Sequence, residues 1–337
     1  MRNIILAIVF LLGGVFIVLR LGEVQQVADT LRKGDWWFIG LGFVLEVLWM
    51  ATIAASYKVI YHAMGLRERF ERLLLISLSA TFVNIVAPSI GMGGMAVFIS
   101  EARRKGYSTG RVTAAGVLFV LLDYFGFLGL LVLGLFVLFR RGQLSSTEII
   151  ASGLLLVVAL FLAYLVYIGL RSSEALGRIL TRLASLVNRV FALFKRPQYL
   201  SEQRAYHFAH ETSIALNELI KRPYHLLAAV SLALTTKIIL LCILLMMFLA
   251  FGTEISIGTL VAGFSIGYLF LIVSPTPAGV GFVEGGLALA LTSLSVPLGA
   301  AAVITLAYRG ITFWLPLLLG MLAFRILPHT GEVHTLA

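Results

Sequence analysis

Six uninterrupted apolar runs, at about 4–20, 36–57, 111–139, 149–170, 224–252 and 300–324, are long enough to cross a bilayer. A crossing helix needs about 20 apolar residues, because the hydrocarbon core is ~30 Å thick and each helical residue rises ~1.5 Å. With a mean hydropathy of +1.01, 60% apolar residues and only 12% charged ones, the chain of 337 residues has far more apolar surface than a soluble fold can hide. No polar stretch is long enough for a separate soluble domain, so residues 1–337 are expected to form a single all-α polytopic membrane domain. The first run, Ile4 to Leu19, has a short basic flank like a signal peptide. It lacks an A-x-A-type cleavage site and reads as a retained helix. Cys242, the single cysteine, can form no intrachain disulfide.

Two further apolar stretches, about 73–100 and 257–296, break in the middle at Asn84-Ile-Val-Ala-Pro88-Ser-Ile-Gly-Met-Gly-Gly94 and Ser274-Pro-Thr-Pro277-Ala-Gly-Val-Gly281-Phe-Val-Glu284-Gly-Gly286. In hydrocarbon, irregular backbone survives only inside protein or beside a watery cavity. Paired interruptions in corresponding positions of two halves point to a transport site. The basic residues orient the chain: Arg2, the 58–72 and 101–111 linkers, the 171–223 linker and Arg325 carry 19 of the 26 lysines and arginines. By the positive-inside rule these are cytoplasmic, and both termini with them, in a multi-pass cell-membrane protein. The 58–72 and 101–111 linkers share a side only if 73–100 enters and leaves by one face. Gly252–Ser256 and Pro297–Gly299 both fall outside, so 257–296 should dip in from the other face. The expected plan is six spanning helices plus two oppositely oriented re-entrant helical hairpins. It forms an inverted repeat: 1–170, a 171–223 linker, and 224–337. The alternative is that each broken stretch makes two short kinked crossings.

In the linker, Leu176, Ile179, Leu180, Leu183, Leu186, Val187, Val190, Phe191 and Phe194 recur at helical spacing among Arg178, Arg182, Arg189 and Lys195. Such a basic amphipathic helix fits an anionic phospholipid surface, or equally the cytoplasmic ends of the bundle. A second polar helix is expected from Ser201 to about Ile220, ended by Pro223. His207, His210 and Glu211 have no evident further ligand, so no zinc site is expected. The net charge of +10 follows from the cytoplasmic bias and comes with no nucleic-acid motif, so no nucleic-acid partner is expected.

Ionisable residues inside spans are costly and are functional candidates. Counted at ~1.5 Å per residue, Glu46, Asp123, Lys237 and Arg309 all come out near the bilayer midplane. The two breaks, with Asn84, Pro88, Gly94, Pro277 and Gly281, reach the same level, and Glu284 begins the returning arm of the second. Two explanations compete. In one, Asp123–Arg309 and Glu46–Lys237 are buried ion pairs that fix helix register. In the other, these groups line a hydrophilic cavity for a lipid headgroup. There Arg309 and Lys237 would attract phosphate, while Asp123 and Glu284 would take an ammonium or hydroxyls.

These residues carry a family resemblance. Asn84…Pro88-Ser-Ile-Gly-Met-Gly-Gly94, Glu101-Ala-Arg-Arg-Lys-Gly106 and the Asp123 helix resemble the first half of the lysylphosphatidylglycerol synthase transmembrane-region family. Pro275-Thr-Pro-Ala-Gly-Val-Gly-Phe-Val-Glu284 and Ala307-Tyr-Arg309-Gly-Ile-Thr-Phe-Trp314 resemble its second half. The family pattern usually reads Pro-Gly-Gly-x-Gly after the second break, and Ala278 stands at the first of those glycines. In bifunctional relatives this module is regarded as a flippase for aminoacylated phosphatidylglycerol, which a cytosolic domain synthesises. The resemblance implies a flippase-like membrane protein without synthase activity, an expectation that also rests on the chain ending at Ala337.

The expected function is therefore movement of a phospholipid or other polar-headgroup lipid between leaflets, with membrane lipids as partners and no cofactor. Gly91-Met-Gly-Gly94 lacks the strand and Lys-Ser/Thr context of a nucleotide site. Two alternatives remain: a lipid-headgroup-modifying enzyme with Glu284 or Asp123 as base, and a non-transporting partner of such an enzyme. Gly126, Gly129 and Gly134 could serve intrachain packing or a homodimer face.

Overall fold

The computed structural model describes residues 21–86, 92–142, 144, 146–193, 202–274 and 276–327, most of them helical and the rest in turns and short connections. Its helices are α1 (Leu21–Leu31), α2 (Trp36–Ala63), α3 (Phe70–Val86), α4 (Met92–Arg104), α5 (Thr109–Arg140), α6 (Ser146–Arg171), α7 (Ser173–Leu193), α8 (Glu202–Ile220) and α9 (Pro223–Ala250). They continue with α10 (Ile257–Val273), α11 (Phe282–Ser293), α12 (Leu298–Arg309) and α13 (Leu315–Ile326), with a 3-10 turn at Pro277–Gly279 and a π-turn at Gly310–Trp314. Five elements are long and apolar enough to cross a membrane: α2, α5, α6, α9 and the composite Leu298–Ile326. They coincide with five of the expected spans. The sixth, 4–20, lies outside the described residues.

Helix starts follow local chemistry. Asp35 caps α2 by accepting from Trp37 N at 2.9 Å, and Ser256 caps α10 by accepting from Thr259 N at 3.1 Å. Pro223 occupies the first turn of α9, where no backbone donor is lost. The π-turn has a covalent cause. Pro316 has no N–H, and its ring crowds the carbonyl four residues back, so the preceding turn widens.

The bundle is built on an antiparallel pair, α2 and α9. Asp35 N donates to Ala250 O at 2.8 Å at one end, and the Arg222 guanidinium donates to His62 O at 3.0 Å at the other. The second of these ends is rich in lysine and arginine, and we call it the basic end. α5 runs from the basic end to the far end, parallel to α9, and Gly126 packs on the backbone of Ala233. Gly134 likewise packs on Ser265 of α10, whereas Gly129 meets nothing within 4 Å, so two of the three small residues serve intrachain packing. The outer surface is apolar. α6 alone exposes Ile149, Ile150, Leu154, Val157, Leu160 and Phe161, as a lipid-facing helix must.

Each broken stretch folds as two short helices packed on one another, α3 with α4 and α10 with α11. The feet of the first pair meet: Arg72 bonds Glu101 at 2.7 Å, Lys105 bonds Glu68 at 3.4 Å, and the Tyr107 hydroxyl donates to Arg67 O. All of these lie at the basic end. The feet of the second pair are joined by Arg141, at the far end of α5. Its guanidinium donates to Ser256 Oγ at 3.1 Å, Thr259 Oγ1 at 3.0 Å and Leu294 O at 3.5 Å. The two hairpins therefore start from opposite ends of α5. Their packing is exchanged as well: α3 lies against α13, α10 lies against α5, and the second tip touches α3. At ~1.5 Å per residue the longer arms, α3 and α10, run ~25 Å, short of a full ~30 Å crossing.

The linker forms the two expected helices. α8 packs on α5 and α6 at the basic end, with Ala209, Ala215, Leu216 and Leu219 buried. The first turns of α7 pack down too: Leu176 is buried and Tyr206 lies over Gly177. Over these turns the linker follows the bundle-packed alternative.

Candidate functional site

Three helices bring Asp123, Lys237 and Tyr268 into one closed network. Lys237 Nζ donates to Asp123 Oδ1 at 2.5 Å and to the Tyr268 hydroxyl, which donates to Asp123 Oδ2 at 3.0 Å. The ammonium is 1% exposed and the carboxylate 18%. A second network lies where α12 meets the second hairpin. Arg309 Nε donates to Glu284 Oε1 at 2.8 Å, and Nη2 donates to Ala278 O at 2.9 Å. The guanidinium also stacks 4.8 Å from the Phe313 ring centroid. Again the cation is the buried partner, 7% exposed against 30% for Glu284.

The ion pairs weighed from sequence, Asp123–Arg309 and Glu46–Lys237, are not the ones that form. The α2–α9 register brings Glu46 about level with Lys237, but Lys237 faces α5 and α10, where Asp123 and Tyr268 engage it. Arg309 faces the hairpin that follows α10, not α5. Glu46 is left 0% exposed with neither carboxylate oxygen hydrogen-bonded, while the Trp49 indole nitrogen one turn on also lacks a partner.

The second tip shows how irregular backbone is satisfied at depth. Gly279 N donates to Thr276 O, Thr276 Oγ1 donates to Val280 O at 2.9 Å, and Gly281 N donates to Glu284 Oε2 at 2.7 Å. Arg309 takes the carbonyl of Ala278. Glu284 thus caps α11 with one oxygen and holds Arg309 with the other. Ala278 adopts φ 50, ψ 23, and Gly279 and Gly281 have φ 73 and 80. For an L-residue this left-handed conformation costs about 1–2 kcal/mol. Ala278→Gly is expected to stabilise the protein by about 1 kcal/mol after the entropy lost from glycine's unfolded chain, read as a raised Tm in detergent.

At the first break, Asn84 Oδ1 accepts from Gly94 N at 2.6 Å, joining the last turn of α3 to the first turn of α4. A Cβ on Gly94 would sit 2.5 Å from Asn84 Nδ2. Gly94→Ala is therefore expected to destabilise by about 1–3 kcal/mol, and Tm measurement tests it. Asn84 acts here as a backbone tie. Pro88 lies outside the described residues, and Pro277 opens the 3-10 turn at the second tip.

A cavity of about 220 Å³ lies between the two networks and is touched by one residue of each, Tyr268 and Arg309. Tyr268, Tyr308, Arg309, Thr312 and Trp49 line it together with apolar residues of α9, α10 and α11. Drug-sized ligand pockets usually run about 300–1,000 Å³, so this conformation holds part of a headgroup at most. A larger cavity of about 720 Å³ opens at the basic end, lined by Lys58, His62, Arg67, Arg69, Arg72 and Lys105 with Glu68 and Glu71. Its cations come from the end of α2 and the foot of the first hairpin and not from the 171–223 linker that the sequence singled out. Beside it, burial pushes the Glu101 carboxyl above its ordinary value, against the opposing pull of its Arg72 partner. Among the described residues no group of three metal-ligating side chains occurs.

Sequence reasoning missed Tyr268, the Ala278 carbonyl and the π-turn. The last had a visible signal, Pro316 inside the expected 300–324 span. Tyr268 sat in an uninterrupted apolar run and gave none.

An apolar, lipid-facing helical bundle with ion-paired groups buried inside it is a polytopic integral membrane protein. The chain belongs to the Lysylphosphatidylglycerol synthase TM region family, whose model matches residues 4–320. It is also similar to a UPF0104 membrane protein of Methanothermobacter thermautotrophicus, 25% identical over 328 residues, covering 95% of this chain and 93% of that one. A second UPF0104 membrane protein, from Methanocaldococcus jannaschii, is 24% identical over 295 residues, covering 86% and 84%.

Proposed function

We propose that this protein moves a polar-headgroup lipid between the leaflets of the cell membrane, with both termini cytoplasmic and the two hairpins re-entrant from opposite faces. One observation carries the reading: two buried ion-pair networks, one of them built on a hairpin tip, each send one side chain, Tyr268 and Arg309, to the wall of a common cavity inside the bundle. A structural ion pair needs no cavity, and desolvation offsets much of its attraction. Asp123 and Glu284 are the more exposed partners, which favours a headgroup bearing an ammonium, such as aminoacylated phosphatidylglycerol. The family's name is consistent with that class of lipid. The basic cavity at the foot of the first hairpin suits the headgroup phosphate on its way in.

The purified protein in phosphatidylglycerol liposomes, loaded on the inner leaflet with lysylated phosphatidylglycerol, tests this. An impermeant amine reagent outside should label the lipid at least tenfold faster than in protein-free liposomes. Labelling at the protein-free rate would point instead to a non-transporting partner of a lipid-modifying enzyme. Orientation is checked in a variant with Cys242 replaced by alanine. A cysteine at Lys105 should react with impermeant thiol reagents only from the cytoplasmic side, and one at Ser295 only from outside.

A further inference from the structure

We infer that Glu46 is a proton-binding site, a neutral carboxylic acid at mid-depth whose proton sets the partnering of the ion pairs around it. The layer contains three carboxylates, Glu46, Asp123 and Glu284, and two cations, Lys237 and Arg309. Both cations are engaged: Lys237 by Asp123 and Tyr268, Arg309 by Glu284 and the Ala278 carbonyl. Glu46 is the carboxylate left over, fully buried and with no donor on either oxygen among the described residues. An isolated ionised carboxylate in such surroundings is very costly, and a proton removes the charge at least expense.

The neighbours exclude a hidden partner among the described residues. One turn before Glu46, Gly42 lies against Met247 of α9 and Ile311 of the π-turn, so this face of α2 looks toward both. On α9 the ionisable groups are Lys237, already paired, Cys242, and Tyr224 and His225 in the first turn at the basic end. At the end of α12, just before the π-turn, they are Tyr308, itself buried, and Arg309, already paired. On α5 they are Asp123 and Tyr124. Those of α3 and α8, such as Glu71, Arg72, Glu211 and Glu218, stand at the basic end, as do Lys58 and His62 of α2 itself. Among the described residues Glu46 belongs to no group of three metal-ligating side chains, so they supply no oxygen shell for a metal cation.

Loss of the proton to water would leave three carboxylates sharing two cations, and one pair must open to compensate. The Arg309–Glu284 pair is the one whose opening frees a hairpin tip, because Arg309 also holds Ala278 O. Protonation of Glu46 then biases the tip, and a proton gradient drives transfer; this coupling rests on the translocation reading, whereas the proton itself does not.

Two measurements on the full-length protein separate these parts. Infrared spectra in nanodiscs should show a protonated-carboxyl band at neutral pH that disappears in Glu46→Gln. Glu46→Ala should lose the same band, guarding against a misfolded variant. Identical spectra for all three would overturn the proposal. In phosphatidylglycerol liposomes, reversing a transmembrane pH gradient should change wild-type transfer by about fivefold or more and leave Glu46→Gln indifferent. Wild-type transfer indifferent to the gradient overturns the coupling. Absence of any transfer sinks the translocation reading, while the infrared result still decides the proton.

Discussion

Arg309→Lys is expected to slow lipid transfer by about 10–100-fold while leaving the protein folded. Lysine keeps the charge but cannot hold Glu284 and the Ala278 carbonyl together, since it lacks the planar fork that reaches both. A lost hydrogen bond to a charged group is worth about 1.5–3 kcal/mol, which corresponds to that range of rates. Glu284 keeps a cation nearby, so the fold avoids the larger penalty of an unpaired buried charge. Transfer in liposomes and Tm in detergent together read out the result. Unchanged transfer would mean that the second tip need not be held by Arg309, and the site would have to be sought elsewhere.

Asp123→Asn is the second large effect. It strands the Lys237 ammonium, 1% exposed, with only Tyr268 for company. Removing one partner from a buried pair costs about 3–5 kcal/mol, a large share of the stability of an ordinary domain. Replacing both partners by uncharged side chains often restores stability. The double variant Asp123→Asn/Lys237→Met should therefore regain most of the lost Tm. Its transfer rate then separates two roles: activity stays low if Asp123 meets the headgroup, and returns if the pair only fixes register.

Much of the fold was legible because hydrocarbon imposes a simple rule. Every span must close its own hydrogen bonds, so run length alone places α2, α5, α6, α9 and Leu298–Ile326. Charge counting expected the two hairpins to enter from opposite faces; in the structure their feet meet at opposite ends of α5, at Arg141 and at the Arg72–Glu101 pair. Rise per residue singled out Glu46, Asp123, Lys237 and Arg309 as groups of similar expected depth. It could not pair them, because depth says nothing about which face of a helix a side chain occupies. Lys237 turned toward α5 and α10, and Arg309 toward α11, so Glu46 lost the cation that depth alone would have assigned it. Tyr268 is the same lesson in reverse, since its hydroxyl matters only because α10 turns it toward Asp123.

The exchanged packing of the hairpins bears on how the protein is made. The ribosome releases α3 some 230 residues before its neighbour α13 exists. In the interval the first hairpin has no finished wall to lean on, and an insertion chaperone or a water-filled insertion channel must shelter its broken backbone. Severing the gene within the 171–223 segment should accordingly yield an N-terminal fragment that is degraded when expressed alone and survives when its C-terminal complement is supplied in the same cell.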